Sequence, residues 1–177
     1  MVNTEGKYLA KDIHALCLKD FNASEHIEEM VKAGVYSFKI EGRLKDAGYV
    51  KNITAYYRQL LDKYSQKTSS GKSVYPFKPN PEKSFNRGFT DYFLTGRGEC
   101  FNFKSPKSIG EYLGEVKEVQ NDFFVLKTDK EIHSQDGLCY YTENGLEGFL
   151  VNKILLSQDK SEIIEIFPNQ KFKLAKG

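Results

Sequence analysis

The last third of the chain most restricts what it can fold into. From Ile109 onward, "EYLGEVKEV", "FFVLKT", "GLCYY", "EGFLVNKIL" and "EIIEIF" are short runs of period-two character. They are separated by the turn-forming stretches "QND", "SQDG", "ENG" and "SQDK". Alternation places successive side chains on opposite faces of a strand, and Asn144-Gly145 is a strong two-residue hairpin signal. Five such strands predict a small closed or nearly closed antiparallel β-barrel, because closure removes exposed edges.

The first third has another rhythm. In "SEHIEEMVKAG", Ser24 is positioned to cap a short helix, with acids in the first turn and Gly34 at its end. "VYSFKI" between Gly34 and Gly42 predicts a buried strand. A longer helix is expected from about Asp46 to Ser65, with Val50, Ile53, Tyr57, Leu60, Leu61 and Tyr64 forming one apolar stripe. Helix, strand, helix is the pattern of a parallel α/β fold, yet only one or two strands can be found for its sheet. The α/β part is therefore incomplete, and its apolar surface is expected to meet a partner or a second copy of the chain.

Between these parts, "SQKTSSGKSVYPFKPNPEKS" is polar and rich in Gly, Pro and Ser, as linkers are. In the stretch that follows, Phe85, Phe89, Tyr92, Phe93, Phe101 and Phe103 alternate with Arg87, Arg97 and Lys104. These aromatics either staple an irregular segment to a core or offer RNA bases a basic stacking surface. The expected organisation is α+β, with an α/β remnant at 1–66, a linker and aromatic/basic segment at 67–107, and the β-barrel at 108–177.

Composition excludes rather than identifies. The chain carries 26 basic and 24 acidic residues, a net charge of +2, too weak by itself to announce a nucleic-acid partner. Cys17, Cys100 and Cys139 are widely separated, without metal-ligand spacing, and read as reduced thiols of a cytoplasmic protein. No run approaches the ~18 apolar residues of a membrane span, and the polar first residues do not resemble a signal peptide. His14, His26 and His133 have no constellation around them, and there is no nucleophile elbow, phosphate loop or metal site.

The charged joint in "SFKIEGRLKDAGYV" is the strongest candidate for chemistry. In a parallel α/β fold, working residues gather at the C-terminal ends of strands, where Glu41, Arg43 and Lys45 fall. Arg43 has the fork geometry to bind a carboxylate or phosphate, and Glu41 could orient it or move a proton. Equally, Glu41 and Arg43 could be a structural ion pair.

At "YLAKDIHALCL", "MVKAGVYSFKIEGRLKDAGYVKNITAYYRQLLD" and "PNPEKSFNRGFTDYFLTGR" the chain resembles the peptidase U32 family of collagenase-like proteases. It is most similar to the branch linked to hydroxylation of a cytidine in 23S ribosomal RNA, and "IGEYLGEVKEV" and "DGLCYY" resemble that branch's β-domain. The resemblance implies the end of a (β/α) barrel followed by a β-domain, in a fragment of a longer protein. It implies Glu41 and Arg43 as catalytic residues at the barrel mouth, and Lys45, Arg87, Arg97, Lys104, Phe89 and Tyr92 as substrate or RNA contacts. An iron–sulfur cluster and prephenate would belong to the intact protein, with the cluster cysteines outside this chain. The alternatives are a fragment of a collagenase-like peptidase and a non-catalytic interaction module.

Overall fold

The computed structural model describes residues 1–64, 73–156 and 162–174. They form two compact units, Met1–Gly110 and Glu111–Gly177. Secondary structure is mixed, with few helices and one substantial antiparallel sheet.

In the first unit, β1 (Asp20–Phe21) pairs in parallel with β2 (Phe89–Thr90). A 3-10 turn at Ser24–His26 leads into α1 (Ile27–Lys32). The cap differs from expectation. Ser24 caps nothing with its side chain; the Asn22 Oδ1 instead accepts from the Ser24 N–H at 3.0 Å and from the Tyr57 hydroxyl at 2.9 Å. Asn22 thereby ties this turn to α2 (Ala47–Leu61). Asp46 caps α2, accepting from the Tyr49 N–H at 2.7 Å, and Ile53 and Ala55 face inward. Helix α2 is shorter than its apolar stripe predicts, and Val50 is left 41% exposed. Ser65 lies outside the described residues.

"VYSFKI" does not form the predicted strand. Residues 35–41 form neither helix nor strand and pair with no strand among the described residues; the Val35 N–H donates to the Met30 carbonyl at 2.9 Å. Val35, Tyr36 and Ile40 are exposed, Tyr36 fully. An apolar β-type sequence becomes a buried strand only when neighbouring strands cover it, and none is supplied here.

The start of the predicted linker, 67–72, lies outside the described residues. Beyond it, the chain is held by side-chain amides, of which Asn86 and Asn102 are buried. Asn52 on α2 donates to the Asn80 carbonyl and the Ser84 hydroxyl, both at 2.6 Å, and accepts from the Asn80 N–H at 2.9 Å. Asn86 is 2% exposed and donates to the Glu82 and Ser84 carbonyls at 3.0 Å. Its Oδ1 accepts from the Gly88 N–H at 3.2 Å. Asn102 donates to the Arg87 carbonyl at 2.8 Å and accepts from the Lys104 and Ser105 N–H groups. These amides satisfy backbone groups that no regular ladder serves, which is how an irregular segment can be buried.

The second unit is a curled antiparallel sheet of order β3-β4-β7-β6-β5. Its strands are β3 (Glu115–Val119), β4 (Phe124–Lys127), β5 (Gly137–Thr142), β6 (Gly145–Leu156) and β7 (Ile163–Pro168). All five predicted strands form, and Thr142 pairs with Gly145 across the Glu143–Asn144 turn. The expected closure does not. β3 and β5 are opposite edges, so the sheet is a half-barrel. The predicted "SQDK" turn lies outside the described residues.

One face of this sheet carries Phe124, Leu126, Phe149, Val151, Ile164 and Ile166, all buried. Phe172 from the segment after β7 packs edge-on against Phe124 at 5.7 Å and so covers part of that face. Complete burial of Val151 or Ile166 contributes roughly 1.5–3 kcal/mol. Entry into β3 depends on Gly114, whose φ is +152°; a Cβ there would lie 2.0 Å from the Lys127 carbonyl oxygen. Among the described residues, no helix is long and apolar enough to cross a membrane.

Candidate nucleic-acid interface

The charged joint before α2 is a β-turn. Lys45 N–H donates to the Gly42 carbonyl at 3.0 Å, and Leu44 takes φ +62°, a conformation usually given to Gly or Asn at this position. Arg43 and Leu44 stand in solvent at its tip. Glu41 does not pair with Arg43. It forms an ion pair with Lys39 at 2.8 Å, both side chains largely exposed. Hydrogen bonding to Glu41, with its charge, holds the Lys39 ammonium above its usual range. So exposed a pair adds little stability.

Lys45 behaves differently. Its ammonium lies 3.3 Å from the centre of the Phe85 ring and 5.4 Å from that of Tyr49. The Arg87 guanidinium approaches the same Phe85 ring at 5.9 Å. Asp20 fixes Arg87 three times. Its Oδ2 accepts from the Arg87 backbone N–H at 2.8 Å and from Nε at 3.1 Å, while Oδ1 accepts from Nη2 at 2.9 Å. Hydrogen bonding to Asp20 raises the guanidinium pKa further, against the cost of partial burial. The structure thus brings Lys45 and Arg87 together, and adds Phe85, Asp20 and Tyr49 to them.

The backbone directs this assembly. Gly88 takes φ +83° with the Ile109 and Lys19 side chains within 3.7–3.9 Å of where a Cβ would stand. This left-handed residue lies between Arg87 and Phe89, and Phe89 is half-buried in β2. Tyr92 is 37% exposed and meets Phe93 edge-on at 4.6 Å. Arg97 and Lys104 are exposed. Phe101 and Phe103, 38% and 41% exposed, stack nearly parallel with centroids 5.6 Å apart.

Asp20 and the asparagines were missed by sequence reasoning, which placed Phe85 in the aromatic segment without joining it to Lys45. The only sequence signal for the asparagines is the recurrence of Asn beside Pro, Gly and aromatic residues in "PNPEKSFNRG" and "CFNF". A further acid, Asp91, accepts from the Thr95 hydroxyl at 2.6 Å and pairs with His26 at 3.5 Å. The Thr95 hydrogen bond is the main cause lowering its pKa. In the second unit, an open cleft is lined by Lys127, Lys130, Asp129 and Glu162, charges of both signs.

The described residues do not fit an iron–sulfur cluster. No group of three or more His, Cys, Asp or Glu side chains among them is arranged to hold a metal ion. Cys17 is half-buried with its thiol donating to the Ser105 carbonyl at 3.6 Å, Cys100 is buried, and Cys139 is exposed on β5.

The profile of the family described as "Peptidase family U32" matches residues 2–102, more than half of the chain. The chain belongs to peptidase family U32. Among its relatives, a 23S rRNA 5-hydroxycytidine synthase of Escherichia coli is 37% identical over 94% of this chain. The E. coli tRNA hydroxylation protein P is 28% identical over 85% of it. A protein named collagenase from Porphyromonas gingivalis is 33% identical over 45%. The chain spans 26%, 33% and 22% of the lengths of these relatives, respectively. No solved structure matches it.

Proposed function

We infer that this chain is part of a U32 protein that hydroxylates a cytidine of ribosomal RNA. The observation that carries this reading is the extent of the similarity. Likeness to the two RNA-hydroxylation relatives covers 94% and 85% of the chain, so it must include much of the β-unit beyond Gly110. Likeness to the collagenase-named relative covers only 45%. The peptidase reading is supported by the family's name and by such relatives.

In this reading, residues 1–66 are the end of a (β/α) barrel, and residues 35–41 are a barrel strand whose neighbours come from the rest of the protein. The exposed Leu9, Leu16, Val35, Tyr36 and Leu44 favour that assignment, since they would be covered by protein, either the remaining barrel or a second copy. Glu41 and Arg43 then stand at the C-terminal rim of the strand, Arg43 as anion ligand and Glu41 as orienting or proton-transfer group. Lys45, Arg87, Arg97 and Lys104 contact RNA phosphates, Phe89 and Tyr92 stack on bases, and the half-barrel positions the RNA. An iron–sulfur cluster and prephenate would be bound by parts of the protein beyond this chain, in the cytoplasm.

The deciding experiment is mass spectrometry of ribosomal RNA nucleosides from a strain lacking the gene. Loss of a hydroxycytidine, restored by the wild-type gene, is expected. An unchanged nucleoside profile overturns the reading.

A further inference from the structure

The cluster around Phe85 has properties that neither a structural ion pair nor a packed aromatic explains. Its two cations arrive from distant parts of the chain, Lys45 from the turn before α2 and Arg87 from the amide-riveted segment, and both are directed at one ring. That ring is 39% exposed. Asp20 neutralises Arg87, while the Lys45 ammonium has no carboxylate within ion-pair distance among the described residues. The three groups Asp20, Lys45 and Arg87 therefore carry one uncompensated positive charge.

We propose that Lys45, Phe85 and Arg87 form a nucleotide clamp for single-stranded RNA, with Asp20 as the positioning residue for Arg87. A guanidinium has five N–H donors in one plane. Asp20 engages the Nε side, which fixes that plane and leaves the remaining donors aimed as a fork. One phosphodiester, a monoanion, matches the single surplus charge; a small dianion would leave a negative charge unpaired. Phe85 supplies the surface for the adjacent base. In the free protein Lys45 occupies that surface through a cation–π contact, which keeps an unpaired ammonium partly desolvated and near its target. When a nucleotide arrives, the base takes the ring and Lys45 moves to the phosphate. No bond is made or broken.

This inference rests on the RNA reading above, and the test separates the two. The 177-residue chain is titrated against a labelled single-stranded oligoribonucleotide across a salt series, alongside an abasic oligomer of the same length. Lys45→Gln is expected to weaken binding about tenfold and to reduce the slope of log affinity against log salt by about 0.7, one phosphate contact. Phe85→Leu is expected to weaken the ordinary oligomer about fivefold or more and to leave the abasic one unchanged. Arg87→Lys keeps the charge but not the planar fork, so affinity falls while the slope stays. Asp20→Asn releases both the charge and the orientation of Arg87, so the salt slope should steepen by up to about 0.7 while affinity at high salt falls, both partly restored by Asp20→Glu; a merely structural Asp20 would lower the melting temperature without changing RNA affinity or its salt slope in the folded protein. A wild-type salt slope in Lys45→Gln, or equal weakening of both oligomers by Phe85→Leu, overturns the clamp while RNA binding stands. A wild-type chain that binds neither oligomer overturns the clamp whatever the nucleoside profile of the deletion strain, and that profile alone decides the hydroxylation reading.

Discussion

Leu44 shows how a single residue can be held against its preference. Its φ of +62° disfavours an L side chain, and its side chain is 96% exposed, so packing offers no compensation. The hydrogen bond from Lys45 N–H to the Gly42 carbonyl closes the turn around it and sets where Lys45 leaves the backbone. Leu44→Gly should stabilise the chain by up to about 1 kcal/mol, the relief of left-handed strain less the extra entropy of an unfolded glycine. Chemical denaturation checks this, and a loss of stability would mean that Leu44 has packing partners in the folded chain. The charged joint around it was legible in the sequence, because acids and bases beside a Gly bounded by apolar runs read as a turn. Which charges meet was not legible. Glu41 and Arg43 are two residues apart and do not pair, while Arg87 and Asp20 are 67 apart and do. Local spacing has no information about such a contact, which depends on the register of β1 against β2, where Asp20 lies opposite Phe89.

Elements were legible in proportion to how completely this chain covers them. The five strands of the half-barrel could be read because their period-two residues meet a local partner: β6 is flanked by β5 and β7, and buried side chains face one side. Whether β3 meets β5 is set by curvature, including the register shifts in β3 and β6, and those leave no simple pattern. Residues 35–41 have the composition of a strand and lack its company. α2 was legible from its stripe, but its anchor was not: Tyr57 accepts from the Ala23 N–H at 3.1 Å and donates to Asn22. Burial, the leading cause, raises the Tyr57 phenol above its ordinary value of 10.0. A phenol whose pKa is higher in the folded state binds its proton more tightly there. Its contribution is thus complete below the ordinary value and lost as pH rises through the elevated one. Tyr57→Phe should cost about 1 kcal/mol near neutral pH and show a shallower loss of stability above about pH 10. Parallel pH dependences for the two proteins in thermal melts would place the alkaline sensitivity elsewhere.

At the scale of the molecule, exposed apolar surface is the informative quantity. In the first unit it includes Leu16 at 80% and Tyr36 at 101%. Leu16→Ser and Tyr36→Ser should each change the stability of this chain by no more than about 0.5 kcal/mol, as exposed positions do. In a protein carrying the full length of a U32 relative, the same changes should cost about 2–4 kcal/mol, the range for truncating a buried large side chain. Denaturant titration of both proteins makes the comparison; equal small effects in both would mean that these side chains face solvent in the longer protein too.

The stretch at 35–41 joins no ladder among the described residues. If it is the barrel strand proposed above, it marks a seam along which the protein could be divided and rejoined. Two polypeptides meeting there would then complete one sheet, and a reporter split between them would register assembly directly, without waiting for the chemistry of the whole.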